Sequence, residues 1–115
     1  MNRYRMLIVD DDREVRETLR TALEDEGFTV AVAANGAEAM TKLEERRPRL
    51  VLLDLMMPVV DGWEVLDRMR ADPSLDDVRV CVCSAVADVD STRADFILRK
   101  PFDLDALKHL VEAVA

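Results

Sequence analysis

The sequence predicts an α/β fold, a doubly wound five-stranded parallel sheet, on three observations. Short apolar runs recur along the 115 residues. The stretches between them place apolar side chains at helical spacing, and strand alternating with helix is the pattern of a parallel sheet covered on both faces. Four of the runs end on polar residues: Asp10-Asp11 after MLIV, Asp54 after LVLL, Ser84 after VCVC and Lys100 after FILR. In a parallel sheet the carboxyl ends of the strands share one edge, so these residues are expected to meet there. Neighbouring strands are about 4.8 Å apart, and three carboxylates at that spacing repel strongly unless a cation sits among them. The pattern therefore points to a divalent metal site beside a phosphate site.

Each element follows in order. Residues 5 to 10 read as a buried strand, and Asp12 can cap a helix whose apolar face is Val15, Leu19, Ala22 and Leu23, ended by Gly27. A strand from Phe28 to about Ala33 follows. Asn35-Gly36 turns the chain into a helix carrying Ala39, Met40 and Leu43, which runs to the break at Arg46-Arg47-Pro48. Residues 49 to 54 form the third strand. The segment from Leu55 to Asp61 contains Pro58 and leads to Gly62, after which Val65, Leu66 and Met69 mark a helix that stops near Asp72-Pro73. Residues 78 to 83 are the fourth strand and 96 to 99 the fifth. A last helix from about Asp103 shows the apolar face Leu104, Leu107, Val111 and Val114.

One crossover is out of proportion. Residues 85 to 95, AVADVDSTRAD, must hold two loops and any helix between the fourth and fifth strands. A parallel crossover normally needs a dozen or more residues, and Val86 and Val89 are too little apolar surface to cover a sheet face. The fourth helix is therefore expected to be absent or at most about two turns long.

Composition narrows the function classes. The length suits one domain spanning residues 1–115, able to bury about two thirds of its unfolded surface, with no output domain. Sixteen basic against 24 acidic residues give a net charge of −8, which argues against direct contact with nucleic acid. No apolar run approaches the roughly twenty residues that span a bilayer, and the first residues lack a signal peptide's apolar stretch, so a cytoplasmic protein away from membranes is expected. Cys81 and Cys83 alternate on one predicted strand, a spacing that suits neither a C-x-x-C site nor a relaxed disulfide, so both are expected reduced in the core. His109 has no partners at metal spacing and reads as a surface residue. Asp61-Gly62 reads as a turn and helix start without a chemical role, and Trp63 as a partly exposed packing residue.

Taken together, Asp10-Asp11 in LIVDDD, Asp54 in LLDLMMPVVDG, Ser84 in CSA and Lys100 in RKPF resemble the receiver domains of bacterial two-component response regulators, over nearly the whole chain. The resemblance implies a flavodoxin-like sheet with strand order 2-1-3-4-5. It implies a phosphoacceptor in a histidine-to-aspartate phosphorelay and not an enzyme, catalysing only its own phosphorylation and slow autodephosphorylation. Asp54 would be the acceptor. Mg²⁺ (or Mn²⁺) would be held by Asp11, by Asp10 largely through water, by Asp54 and by the backbone carbonyl of Met56. Lys100 would spread phosphoryl charge, from a position set by a cis Lys100-Pro101 peptide, and Ser84 would donate to the phosphoryl group, drawing its loop inward as the switch. The implied partners are a sensor histidine kinase or a histidine phosphotransfer protein, and downstream a protein effector or fused output domain. A phosphorylation-dependent dimer is a further option.

Three departures from the family pattern bear on behaviour. Ile97 stands where an aromatic switch residue is usual, with Phe96 on the opposite strand face. Met56 and Val86 stand where polar residues in relatives help place the attacking water, which predicts a long-lived phosphoryl group. The short crossover removes part of the face that dimerises or meets effectors in relatives, so apolar surface over the fourth and fifth strands is either covered by the loop or offered to a partner. Two alternatives remain at this point. A degenerate receiver would bind partners without phosphorylation, though its acids, Ser84 and Lys100 are intact. A metal-dependent phosphatase of the haloacid-dehalogenase kind could use Asp10 and Asp12 as a D-x-D pair, but Glu14 stands where that family has Thr or Val, and Asp54 would lack a role.

Overall fold

The computed structural model describes residues 3–55, 62–84, 94–101 and 103–114. Its strands are β1 (Arg5–Val9), β2 (Thr29–Ala33), β3 (Leu50–Asp54), β4 (Arg79–Ser84) and β5 (Phe96–Arg99). Its helices are α1 (Arg13–Asp25), α2 (Gly36–Glu45), α3 (Gly62–Ala71) and α4 (Leu104–Val114), with a short 3-10 turn at Pro73–Leu75. All paired strands run parallel in the order β2-β1-β3-β4-β5, the expected doubly wound sheet. The expectation of a missing or shortened fourth helix falls on residues 85 to 93, which lie outside the described residues.

Strand alternation divides the core in two. Leu7, Val9, Val51, Leu53, Val80 and Val82 face α2 and α3, where Leu43, Leu66 and Met69 meet them. Met6, Ile8, Leu50, Leu52, Cys81 and Cys83 face α1 and α4, against Leu19, Leu23, Leu107 and Val111. Successive side chains of a strand point to opposite faces, so an unbroken apolar run means burial on both. The central strand β3 is buried along its entire length. Both cysteines are free and buried, as expected. Burial and the neighbouring Cys83 push the Cys81 thiol up, the contact with Cys83 being the larger cause. His109 is exposed, also as expected.

Local chemistry sets the ends of the helices. Asp12 caps α1, its carboxylate accepting from the amides of Glu14 and Val15, and satisfies donors that the first helical turn leaves unpaired. Gly27, with φ of 95°, lets the chain turn from α1 into β2 in a region that side chains disfavour. Asn35 caps α2, its Oδ1 accepting from Glu38 N at 2.9 Å, and Glu38 reaches back past the cap, its Oε1 accepting from Ala34 N at 3.1 Å. Two expectations are corrected. Ser84 is the last residue of β4 and not the residue after it. Leu104, placed on the buried face of the last helix, is 40% exposed, because that face is completed one turn later by Leu107 and Val111.

Candidate functional site

Parallel register brings the strand ends together. Asp10 follows β1, Asp54 closes β3, and the pairing of Asp54 with Cys83 and of Ser84 with Arg99 aligns β3, β4 and β5 at the same edge. Carboxylate oxygens of Asp10, Asp11 and Asp54 lie within 4.8 Å of one another. Asp10 and Asp54 are only 5% and 7% exposed, whereas Asp11 faces solvent. Like charges this close repel by about 3–4 kcal/mol per pair at an effective dielectric near 20.

Lys100 partly offsets that repulsion. Its Nζ lies 3.1 Å from Asp10 Oδ2 and 3.5 Å from Asp54 Oδ2. Burial is the largest single influence on the ammonium and works against its charge, but its hydrogen bond to Asp10 and the charges of Asp10 and Asp54 together raise its pKa above the ordinary lysine value. The Lys100-Pro101 peptide is cis. Three carboxylates against one ammonium still leave a formal charge of −2. That donor set suits a hard divalent cation, which prefers carboxylate oxygen and retains water on its open side, here toward exposed Asp11.

Asp10 is held at every acceptor. Its Oδ1 accepts from Asp12 N at 2.9 Å, its Oδ2 from Lys100, and its main-chain carbonyl from Arg16 Nη1 at 2.9 Å. With both side-chain oxygens engaged, Asp10 acts as a fixed wall of the pocket. Nothing in residue type alone marks Arg16 in the sequence; its place one turn beyond the Asp12 cap is the pattern that reveals it, because a long side chain there reaches back to the preceding strand end.

Asp61-Gly62 reads from the sequence as a turn and helix start without a chemical role, and the structure gives Gly62 a geometric one. A Cβ built on it would lie 2.3 Å from the Asp54 carbonyl oxygen and 2.5 Å from Leu55 Cα. Gly62 N also donates to Leu55 O at 3.2 Å. The start of α3 is thus pressed against the backbone of the candidate acceptor. Ile97 pairs with Val82 and is half-buried, while Phe96 packs on the α1/α4 face, the opposite placement the sequence predicts. Met56, Val86 and the Ser84 hydroxyl lie outside what the structure describes.

The Response regulator receiver domain family matches residues 6–112. The chain belongs to this family. Among curated relatives, this receiver domain is 43% identical over 116 residues to the transcriptional regulatory protein PrrA of Mycobacterium tuberculosis, a match covering 96% of this chain and 49% of PrrA. It is 42% identical over 110 residues to the response regulator MprA of Mycolicibacterium vanbaalenii, covering 90% of this chain and 46% of MprA. The receiver domain thus spans about half the length of the curated relatives it matches. Among solved structures it is similar to the response regulator TrrA of Thermotoga maritima, determined in complex with Mg(2+)-BeF, at a TM-score of 0.86 and 34% identity over the full length of both chains. Receiver domains are signalling domains of two-component systems and not enzymes in the ordinary sense. Among the described residues, no helix is long and apolar enough to cross a membrane.

Proposed function

We propose that Asp54 accepts a phosphoryl group from the histidine of a sensor kinase or histidine phosphotransfer protein, in a reaction that depends on a divalent cation. The observation that carries this reading is the meeting of three carboxylates within 4.8 Å, two of them buried, with an ammonium 3.5 Å from the acceptor. Mg²⁺ or Mn²⁺, bound by Asp11 and Asp54, with Asp10 acting through water and the Met56 carbonyl completing the set, supplies positive charge where phosphoryl oxygens gather. TrrA, solved with Mg(2+)-BeF, supports that assignment.

The chain's own residues do the rest. A carboxylate oxygen of Asp54 attacks phosphorus as the bond to the donor histidine nitrogen breaks, leaving an aspartyl phosphate. Lys100, held between Asp10 and Asp54, moves its ammonium onto the phosphoryl oxygens without a search for position. Asp10, fixed by Asp12 N and Arg16, keeps the wall of the pocket still during transfer. Ser84 donates to the new phosphoryl group, and its loop follows inward as the switch; Ile97, smaller and more flexible than an aromatic ring, takes the space released. Apolar Met56 and Val86 leave the attacking water unplaced, so autodephosphorylation is slow. The signal passes to a protein effector or a fused output domain in the cytoplasm, with dimerisation on phosphorylation as one route.

The test is incubation with a small phosphodonor and Mg²⁺, followed by intact mass, for the wild type and Asp54→Asn. One added phosphate, absent from the variant and from a sample without cation, is expected. A phosphate retained by Asp54→Asn, or steady release of phosphate from a phosphoester, would overturn the reading. Radiolabelled protein kept without partner should hold its phosphoryl group well beyond seconds.

A further inference from the structure

At the opposite edge of the sheet the charge reverses. Arg5 begins β1, Arg49 precedes β3 and Arg79 begins β4. Arg49 N donates to Arg5 O at 2.8 Å and Arg79 N to Arg49 O at 2.9 Å, so three neighbouring strands begin on or just after arginines at this edge, with Arg79 level with Leu50 and on the other sheet face from Arg5. With Arg47 they line an open groove of about 690 Å³. Asp76 and Asp77 line it too, leaving four guanidiniums against two carboxylates in a chain whose overall charge is −8.

With Asp95 counted, four guanidiniums face three carboxylates, and the ion pairing is uneven. Arg79 Nη1 pairs with Asp95 Oδ1 at 3.2 Å, and Arg47 donates to the Ser74 carbonyl. Among the described residues, Arg5 and Arg49 make no ion pair or side-chain hydrogen bond, although Asp76 and Asp77 line the same groove. A guanidinium offers a planar fork of donors that fits phosphate oxygens two at a time. Several of them around one groove fit an anion carrying several charges better than a single carboxylate. The groove's size lies in the range of about 300–1,000 Å³ found for small-molecule sites, and Tyr4, Pro48 and Val114 give it an apolar wall.

We propose that this groove binds a linear polyphosphate, either inorganic or the di- or triphosphate chain of a nucleotide. It lies at the pole of the sheet away from Asp54 and does not depend on phosphoryl transfer there. The experiment is calorimetric titration of the cation-free protein with tripolyphosphate and, separately, with a nucleoside triphosphate. The comparison is wild type, Arg5→Gln/Arg49→Gln, and Arg20→Gln on the exposed side of α1. Saturable binding is expected, weakened about tenfold or more for each groove guanidinium removed and unchanged in Arg20→Gln. Equal affinity for the two ligands identifies the phosphate chain as what is recognised; tighter nucleotide binding adds the base. The proposal is overturned if the double variant binds as well as the wild type, or if the wild type holds tripolyphosphate no better than sulfate at equal ionic strength. It is also overturned if these arginines instead drive salt-sensitive self-association that the double variant abolishes. Circular dichroism and unchanged labelling of Asp54 in the double variant establish that it is folded.

Discussion

The two ends of the same strands crowd like charges and resolve the crowding in opposite ways. At the carboxyl end, Asp10 and Asp54 are buried, and Asp10 has a donor on each side-chain oxygen and another on its carbonyl. At the amino end, Arg5 is half-buried, Arg49 and Arg79 are exposed, and among these three only Arg79 forms an ion pair within the described residues. The difference follows from side-chain length. Three methylenes let guanidiniums splay into water, where screening leaves little repulsion. Aspartate has one, so its charge stays where the backbone puts it, and the repulsion remains until a cation relieves it. Crowded aspartates therefore keep a charge that a cation can relieve, whereas crowded arginines spread theirs into water.

The largest effect should come from breaking the carboxyl end without touching its charge. Gly62→Ala places a methyl group 2.3 Å from the Asp54 carbonyl oxygen, which forces backbone to move. Overpacking of this kind is expected to cost about 3 kcal/mol, and phosphorylation should fall with it. Helix propensity alone predicts the reverse sign, a gain of roughly 1 kcal/mol from replacing glycine. Urea denaturation decides between them: a raised midpoint would mean that α3 is free to back away from the acceptor strand. The exposed amino end should tolerate Arg5→Gln/Arg49→Gln within about 0.5 kcal/mol.

Next in size is removal of the internal counter-ion. Lys100→Met leaves two buried carboxylates and Asp11 without an ammonium. Discounting for the 28% exposure of the lysine side chain, the expected loss is about 1–3 kcal/mol in cation-free protein. Because the formal charge of the cluster becomes more negative, Mg²⁺ should raise the melting temperature of the variant more than that of the wild type. Equal shifts, read by differential scanning fluorimetry with and without MgCl₂, would show that Lys100 does not balance these acids. Phosphorylation should fall in the variant even where Mg²⁺ restores stability.

How much of this was legible in the sequence divides along the same line. Apolar runs and their closing residues predict the strands and the meeting of Asp10, Asp11, Asp54 and Lys100, because parallel register alone places strand ends together. Asp12 as cap follows from residue type and position. Contacts between segments distant in the chain do not. That Gly62 is pressed on the Asp54 carbonyl, and that Arg5, Arg49 and Arg79 gather at one edge, depends on how far each loop carries the chain before the next element begins. Leu104 fits the apolar spacing of α4 and yet is exposed, because periodicity gives a face but not where the neighbouring layer stops.

The smallest effect separates the amino end's packing from its charge. Tyr4 donates its hydroxyl to the Val111 carbonyl at 2.7 Å and meets Phe28 edge to face, tying the start of β1 to α4. Tyr4→Phe keeps the ring and should cost about 1 kcal/mol at neutral pH, the net value of one hydrogen bond. Burial, the largest cause, pushes the Tyr4 phenol from 10.0 up to about 12, against the lowering influence of Arg3 and Arg49. The unfolded phenol therefore loses its proton first. Tyr4 contributes its full stabilisation below pH 10, and that contribution declines as pH rises toward about 12. Urea midpoints measured from pH 8 upward should fall more steeply above pH 10 in the wild type than in Tyr4→Phe, so that the two curves converge. Parallel curves would mean that the phenol ionises alike in both states, and that the base of α4 is open to water.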